Sequence, residues 1–442
     1  MSAGGSGRRD RLVEAMTRVA ARHGYGGASV ARVVKEAAVS RATFYQHFAD
    51  REACFLVAYR RVVERIGERV DGPGLPGGGR PTLDALLGDA GCDPAAARIV
   101  LVEALGGPAA VREEHRRLLD RAEGAVAGLL DSGRGRGGPI EIPARALLGG
   151  LAGVVAIRVF RGEAADLGDL ADDLAAWIES YRLPAGRERV GEAGWSELGA
   201  GIRGAEPDSL GDGVLGRSLP RGRGALPPSV VSGERRERIL AAVARLARER
   251  GYERTTVSGI VATAGVTREA FYTLFRGKND AFLATQAFGL EKSVALTAGH
   301  FFGGEAWPDR VWDGLHTLLS FVAGQSDLVF VDLVESYAAG PAAIRRSFEN
   351  RMAYTLFLEE GYGQGAGVPA PPRIASEAIS GAINELMRRE VVEGRTETML
   401  EMLPRVVYVT LAPFVGPGAA LELIERRSGM SIPRSPAPRG AG

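Results

Sequence analysis

Apolar residues near the start of the chain recur with the spacing of a helix face. Leu12, Ala15, Met16, Val19 and Ala20 fall at i, i+3, i+4, i+7 and i+8, which a helix of 3.6 residues per turn directs to one side. Gly24 stops the stripe at the position where a positive φ costs glycine little. Ser29 then caps a second helix that carries Val30, Val33, Val34 and Ala37. The same grammar returns more than two hundred residues later. Ile239, Ala242, Val243, Leu246 and Ala247 form the stripe, Gly251 ends it, and Thr256 caps Val257, Ile260, Val261 and Ala264. No run alternates apolar and polar residues with period two, so the fold class is all-α.

After each second helix comes a three-residue turn, Ala38-Val39-Ser40 or Gly265-Val266-Thr267, whose hydroxyl caps a short third helix. Two short helices joined by a tight turn give helix-turn-helix geometry, with the second helix offered to the DNA major groove. In VSRATFYQHF (39–48), Phe44 and Phe48 point inward with Val39, while Arg41, Ala42, Thr43, Tyr45, Gln46 and His47 lie on the outer surface or its margins. Arg41 can donate bidentately to guanine, Thr43 can touch a thymine methyl or a phosphate, and Gln46 can pair with adenine. The later copy, VTREAFYTLF (266–275), keeps the frame and changes exposed letters: Arg268, Glu269, Ala270, Tyr272 and Thr273 occupy the outer face, and Leu274 replaces His47. Glutamate accepts from cytosine N4, so Glu269 marks either altered specificity or a weakened reader. Altered specificity is favoured because Arg268, Tyr272 and Lys278 remain.

The copies align over 8–56 and 235–283 without a gap at a shift of 227, with eighteen of forty-nine positions identical, and GPAAVRE (107–113) echoes in GPAAIRR (340–346). The repeat therefore covers whole domains. Expected boundaries are a first reader at 8–56, a first helical domain at 57–183, a linker at 184–233, a second reader at 234–283, a second helical domain at 284–428 and a disordered tail at 429–442. The linker holds twelve Gly and five Pro in fifty positions; as a Gly-rich coil it would span roughly 40 Å.

Charge sharpens this picture. Residues 8–60 and 235–287 each carry ten Arg/Lys against five Asp/Glu, in a chain of 442 residues whose net charge is only +1. Two basic islands in a near-neutral chain suit two contacts with a polyanion. Two cysteines without a CxxC pair, Cys54 and Cys92, fit a reducing cytosol. The start, MSAGGSGRRD, lacks the apolar core of a signal peptide. The twelve-residue apolar run ALLGGLAGVVAI (146–157) is too short to span a bilayer.

Each copy resembles the N-terminal domain of the TetR family of transcriptional repressors. The resemblance rests on the first amphipathic helix, the Gly24-Tyr25 and Gly251-Tyr252 turns, and VSRATFYQHFADRE or VTREAFYTLFRGKND running into helix four. It implies phosphate contacts from Ser29 and Thr256 opening helix two, and from Tyr45 and Tyr272. Arg51 and Lys278, opening helix four, would neutralise a further phosphate, and Arg41 and Arg268 would read bases.

The resemblance also implies a small-molecule and dimerisation domain behind each reader. Its pairing helices would be 143–160 and 168–182 in the first copy, and 373–393 and 398–412 in the second; the same stripes equally suit each domain's private core. Either the two copies pair within one chain as a pseudo-dimer, or two chains form a homodimer. Aromatic residues favour the second domain as the seat of an apolar or planar effector, with Trp312, Phe321, Phe330, Tyr337, Phe348 and Tyr354 as candidate lining.

No cofactor motif is present: GxxxxGK[ST], GxSxG and HExxH are missing, and five histidines lie scattered without metal-ligand spacing. Catalysis is not expected. A DNA-binding, ligand-responsive repressor with two unlike readers is the expected function. The alternative is a helical protein-interaction scaffold with a partly degenerate second reader.

Overall fold

The computed structural model describes residues 3–70, 79–132, 138–202, 228–303, 306–364 and 368–430, and among them the regular structure is helical, with no strand. The first unit runs through α1 (Ala3–His23), α2 (Val30–Glu36), α3 (Arg41–His47), α4 (Arg51–Val70), α5 (Gly79–Cys92), α6 (Pro94–Arg98), α7 (Ala109–Ser132), α8 (Ala144–Arg161) and α9 (Ala171–Glu179). A connecting helix, α10 (Gly191–Ala200), follows. The second unit comprises α11 (Pro228–Arg250), α12 (Val257–Ala264), α13 (Arg268–Leu274), α14 (Lys278–Phe301), α15 (Trp307–Gly324), α16 (Ser326–Phe330), α17 (Ser336–Ala339), α18 (Pro341–Ala353), α19 (Ile374–Val392), α20 (Leu403–Val415) and α21 (Pro417–Ser428). Each unit also contains one π-helical turn, Ile99–Glu103 and Val331–Glu335.

Each reader buries its own apolar stripes. Leu12, Ala15, Met16, Val19 and Ala20 close against Phe44, Phe48 and Phe55 in the first, and Ile239, Val243 and Leu246 against Phe271, Phe275 and Phe282 in the second. Burial at roughly 25 cal/mol per Å² of apolar surface is what holds such short helices, since seven residues are too few for a stable isolated helix.

The two units join inside the chain. α8 packs along α19 because small residues face each other: a Cβ on Gly153 would lie 3.0 Å from the Gly381 Cα, and one on Gly381 would lie 2.8 Å from the Gly149 carbonyl oxygen. Charged groups flank this seam, with Arg158 donating to both Glu377 oxygens (2.6 and 3.1 Å) and Arg389 donating to Glu123 (3.2 and 3.3 Å). From the segment after α9, the Tyr181 hydroxyl donates to the Val409 carbonyl on α20 (2.7 Å). One apolar core accordingly draws on both units, from Val154 and Trp177 to Ile379 and Val409. Thr396–Val415 is long and apolar enough to cross a membrane by length and composition, yet Leu403, Val406, Val407 and Tyr408 within it are buried in this core.

The stretch expected to be linker is partly folded. α10 drives Trp195 (2% exposed) and Leu198 into the core. The Trp195 Nε1–H donates to Glu141 of the first unit (3.1 Å), and its ring lies 5.4 Å from that of Tyr408 in the second. Gly191, Gly194 and Gly199 hid this helix by reading as breakers. Residues 203–227 of the expected linker lie outside the described residues, 228–233 open α11, and of the expected tail only 429–430 are described.

Candidate nucleic-acid interface

Both third helices are set by caps and anchors. The Ser40 hydroxyl oxygen accepts from the Thr43 amide (3.0 Å) and that of Thr267 from the Ala270 amide (3.1 Å). Ser29 and Thr256 do the same for α2 and α12, accepting from Arg32 (3.4 Å) and Gly259 (3.1 Å). Each cap contributes about 1 kcal/mol. Phe44 and Phe271 are fully buried beneath the helices, with Phe48 and Phe275 at their ends.

What remains outward is polar and unengaged. Arg41, Ala42, Tyr45 and Gln46 are exposed, with Thr43 and His47 half-buried at the margin. In the second reader Arg268, Glu269, Tyr272 and Thr273 are exposed and Ala270 is half-buried. Tyr45 and Tyr272 are 51% and 48% exposed, unusual for large aromatics, and their rings rest edge-on against Phe44 and Phe271, which leaves the hydroxyls outward. Arg268 lies 5.8 Å from the Tyr272 ring centroid, and the Thr273 hydroxyl donates back to the Glu269 carbonyl (3.0 Å). The side chains named from the sequence thus gather on one outer face per reader.

Arg51 and Lys278 are held differently from the rest. The Arg51 guanidinium sits 4.4 Å from the Tyr25 ring centroid and donates to the Gly26 carbonyl (3.2 Å). The Lys278 ammonium sits 4.0 Å from the Tyr252 centroid and donates to the Tyr252 carbonyl (2.9 Å). Burial pulls the Lys278 pKa down. Both cations fasten the Gly-Tyr turn in the free chain.

The opposite side of that turn carries two residues the sequence reading passed over. From the π-helical turns, Glu103 accepts the Tyr25 amide (2.8 Å) and Glu335 accepts the Tyr252 amide (2.5 Å). Burial pushes both carboxyls up from the ordinary range; in Glu103 the ion pair with Arg98 (3.0 Å) opposes that push. Each regulatory half therefore grips its reader through one buried carboxylate. The signal was present as LVE at 101–103 and again at 333–335.

The candidate effector aromatics separate. Phe321 and Tyr354 line a cavity of about 130 Å³ in the second unit. Trp312 does not: it is buried beside Arg427. Phe330 is half-buried against Arg248. Tyr337 and Phe348 line a smaller space of about 70 Å³ at the α8/α19 seam, together with His115 of the first unit. Among the described residues no group of His, Cys, Asp and Glu is placed to hold a metal.

Similarity to known proteins falls on the readers. The family model "Bacterial regulatory proteins, tetR family" matches residues 12–58 and again 239–285. The HTH-type transcriptional repressor AcnR of Corynebacterium diphtheriae is 34% identical over 118 residues, 26% of this chain and 60% of the relative; AcnR of Corynebacterium efficiens is 37% identical over 67 residues, 15% of this chain and 36% of the relative. The chain thus spans less than two thirds of the length of these relatives. Among solved structures, the fatty acid degradation regulator FadR from Bacillus halodurans superposes with a TM-score of 0.37 at 18% identity, covering 42% of this chain and 97% of that one. FadR from Bacillus subtilis, solved with stearoyl-CoA, gives 0.35 at 20% identity, covering 40% and 97%. With the helix-turn-helix frame, its caps and its buried anchors present twice, the chain belongs to the TetR family, as a tandem member carrying the family's DNA-binding domain in two copies.

Proposed function

We propose that this chain is a transcriptional repressor that binds one operator of two unequal halves, both read by a single polypeptide and released in response to a small molecule. The observation that carries this reading is the α8/α19 seam, which pairs the two units within one chain, so that α3 and α13 form a fixed couple with different exposed letters. In the first half-site Arg41 donates to guanine O6 and N7 and Gln46 pairs with adenine; in the second Arg268 takes guanine and Glu269 accepts from cytosine N4. Tyr45, Tyr272, Ser29 and Thr256 meet phosphate, which sets register without reading sequence. Release acts through Glu103 and Glu335, which join the regulatory halves to the turns entering α2 and α12.

Selection of binding sites from random duplex DNA tests this directly. Unequal half-sites are expected, and Arg41→Ala should cost about 1–3 kcal/mol and relax sequence preference in one half only. Recovery of perfect palindromes alone, or a gel shift indifferent to Arg41→Ala, would overturn the reading.

A further inference from the structure

The cavity in the second unit has a chemically specific end. α4 and α14 both start at aligned positions and run without a break, so the repeat stays in register along them. Where α4 carries Tyr59, Val62 and Ile66, α14 carries Gln286, Gly289 and Ser293, and all three of the latter line the cavity. Small and polar side chains have replaced bulky ones along the wall.

At the polar end sits Asp332, on the π-helical turn Val331–Glu335. Its Oδ1 accepts from Gln286 Nε2 (3.0 Å) and Asn350 Nδ2 (2.9 Å). Gln286 Nε2 also donates to the Ala343 carbonyl (3.2 Å), which fixes the orientation of the amide. Both amides are buried, at 1% and 4% exposed. Their remaining oxygens, Gln286 Oε1 and Asn350 Oδ1, are buried with no hydrogen-bond partner. Asp332 makes no ion pair among the described residues. Arg351, which also borders the cavity, donates instead to the Gly153 carbonyl of the first unit (3.4 Å). A carboxylate and two orphan acceptors, all turned to one space, carry a desolvation cost that only a donor relieves.

Size limits what can bring that donor. The remaining wall includes Leu290, Leu318, Phe321 and Phe357, and an apolar cavity of roughly 150 Å³ accepts benzene. We propose that this cavity is a site for an organic cation, with an ammonium group facing Asp332, Gln286 and Asn350 and an apolar body about the size of one aromatic ring. The proposal rests on the reading of the regulatory halves as ligand-responsive and names the ligand class of the second.

The test is calorimetric titration of the full chain with benzylamine, benzyl alcohol and benzoate. Benzylamine is expected to bind once per chain, about tenfold or more tighter than benzyl alcohol, with benzoate excluded. D332N should remove that advantage and leave the alcohol unchanged, and Gly289→Val, which restores the first unit's side chain, should abolish binding of both. Equal affinity for benzoate or the alcohol, indifference of benzylamine to D332N, or no binding at all would overturn the site. Should D332N fail to fold, Gly289→Val and the three-probe comparison still decide. Gel shifts on selected DNA with the same preparations keep the two readings apart. A chain that binds DNA and ignores benzylamine loses the cation site only; one that binds benzylamine and no DNA loses the regulator reading only.

Discussion

The walls of α4 and α14 are the same helix face written in two ways. In the first unit the Tyr59 side chain is fully buried and its hydroxyl meets His115 Nδ1 (3.1 Å), closing the space with Val62 beside it. In the second, Gln286 and Gly289 stand at those positions and the space stays open. Duplication supplied two equal domains, and a few substitutions on one face were enough to make one a packed support and the other a candidate receptor. The lesson is that a repeat identifies functional change by subtraction: positions that build the fold agree, and positions that build a site differ.

The largest test of that contrast is removal of the plug. Tyr59→Ala should destabilise the chain by about 3–5 kcal/mol, because a large buried ring leaves a cavity and His115 loses its partner. Gln286→Ala, at the matching position, should cost only about 1–3 kcal/mol through lost hydrogen bonds. Denaturant melts of the two variants check this, and equal costs would show that the walls are energetically alike.

The readers were legible from the sequence and much of the rest was not, for physical reasons. Caps such as Ser40 and Thr267, and anchors such as Phe44 and Phe271, act within a few residues of their partners, so local spacing reveals them. α10 was hidden because Gly199 looks like a breaker; in the fold it lies against the Glu401 backbone, where no side chain fits. Counting aromatics found the unit that holds the cavity but placed only Phe321 and Tyr354 on its wall, since composition does not distinguish a filled core from a lining. The exchange of Tyr59 for Gln286 was readable at the shift of 227, and so were the two LVE glutamates near the GPAA echo; both carry meaning only when a distant segment is known to face them.

A second contrast lies at the seam, where His115 in the first unit corresponds to Phe348 in the second, eight residues after each GPAA begins. Burial holds the His115 pKa down at about 4, from 6.5, with Arg388 and Arg145 adding to that and Glu385 opposing it. The unfolded chain takes up this proton below about pH 6.5 while the folded chain refuses it until about pH 4, so stability falls as acid is added across that window. The loss attributable to this group is on the order of 3 kcal/mol. Asp332 acts in the opposite sense: burial raises it to about 6, so the folded chain gains a proton before the unfolded one does. Stability measured from pH 7 to 4.5 for wild type and His115→Phe separates the two. The variant should lose less stability in acid than wild type, and parallel curves would remove His115 from the account.

The smallest effect sharpens the contrast between the readers themselves. Between α2 and α3 the first reader places Ala38 at a φ of +53°, while the second places Gly265 at +61°. An L side chain in the left-handed region crowds the following carbonyl, at a cost of about 1 kcal/mol that glycine avoids. Ala38→Gly should therefore stabilise the first reader by about that amount, offset in part by the greater freedom glycine gives the unfolded chain, and Gly265→Ala should destabilise the second by a similar amount. Amide hydrogen exchange along α2 and α12 resolves changes of this size in each reader separately. If Ala38→Gly slows exchange in α2 while leaving α12 unchanged, the two readers open as independent units despite the shared seam; a change in both would mean that the seam carries strain from one reader to the other.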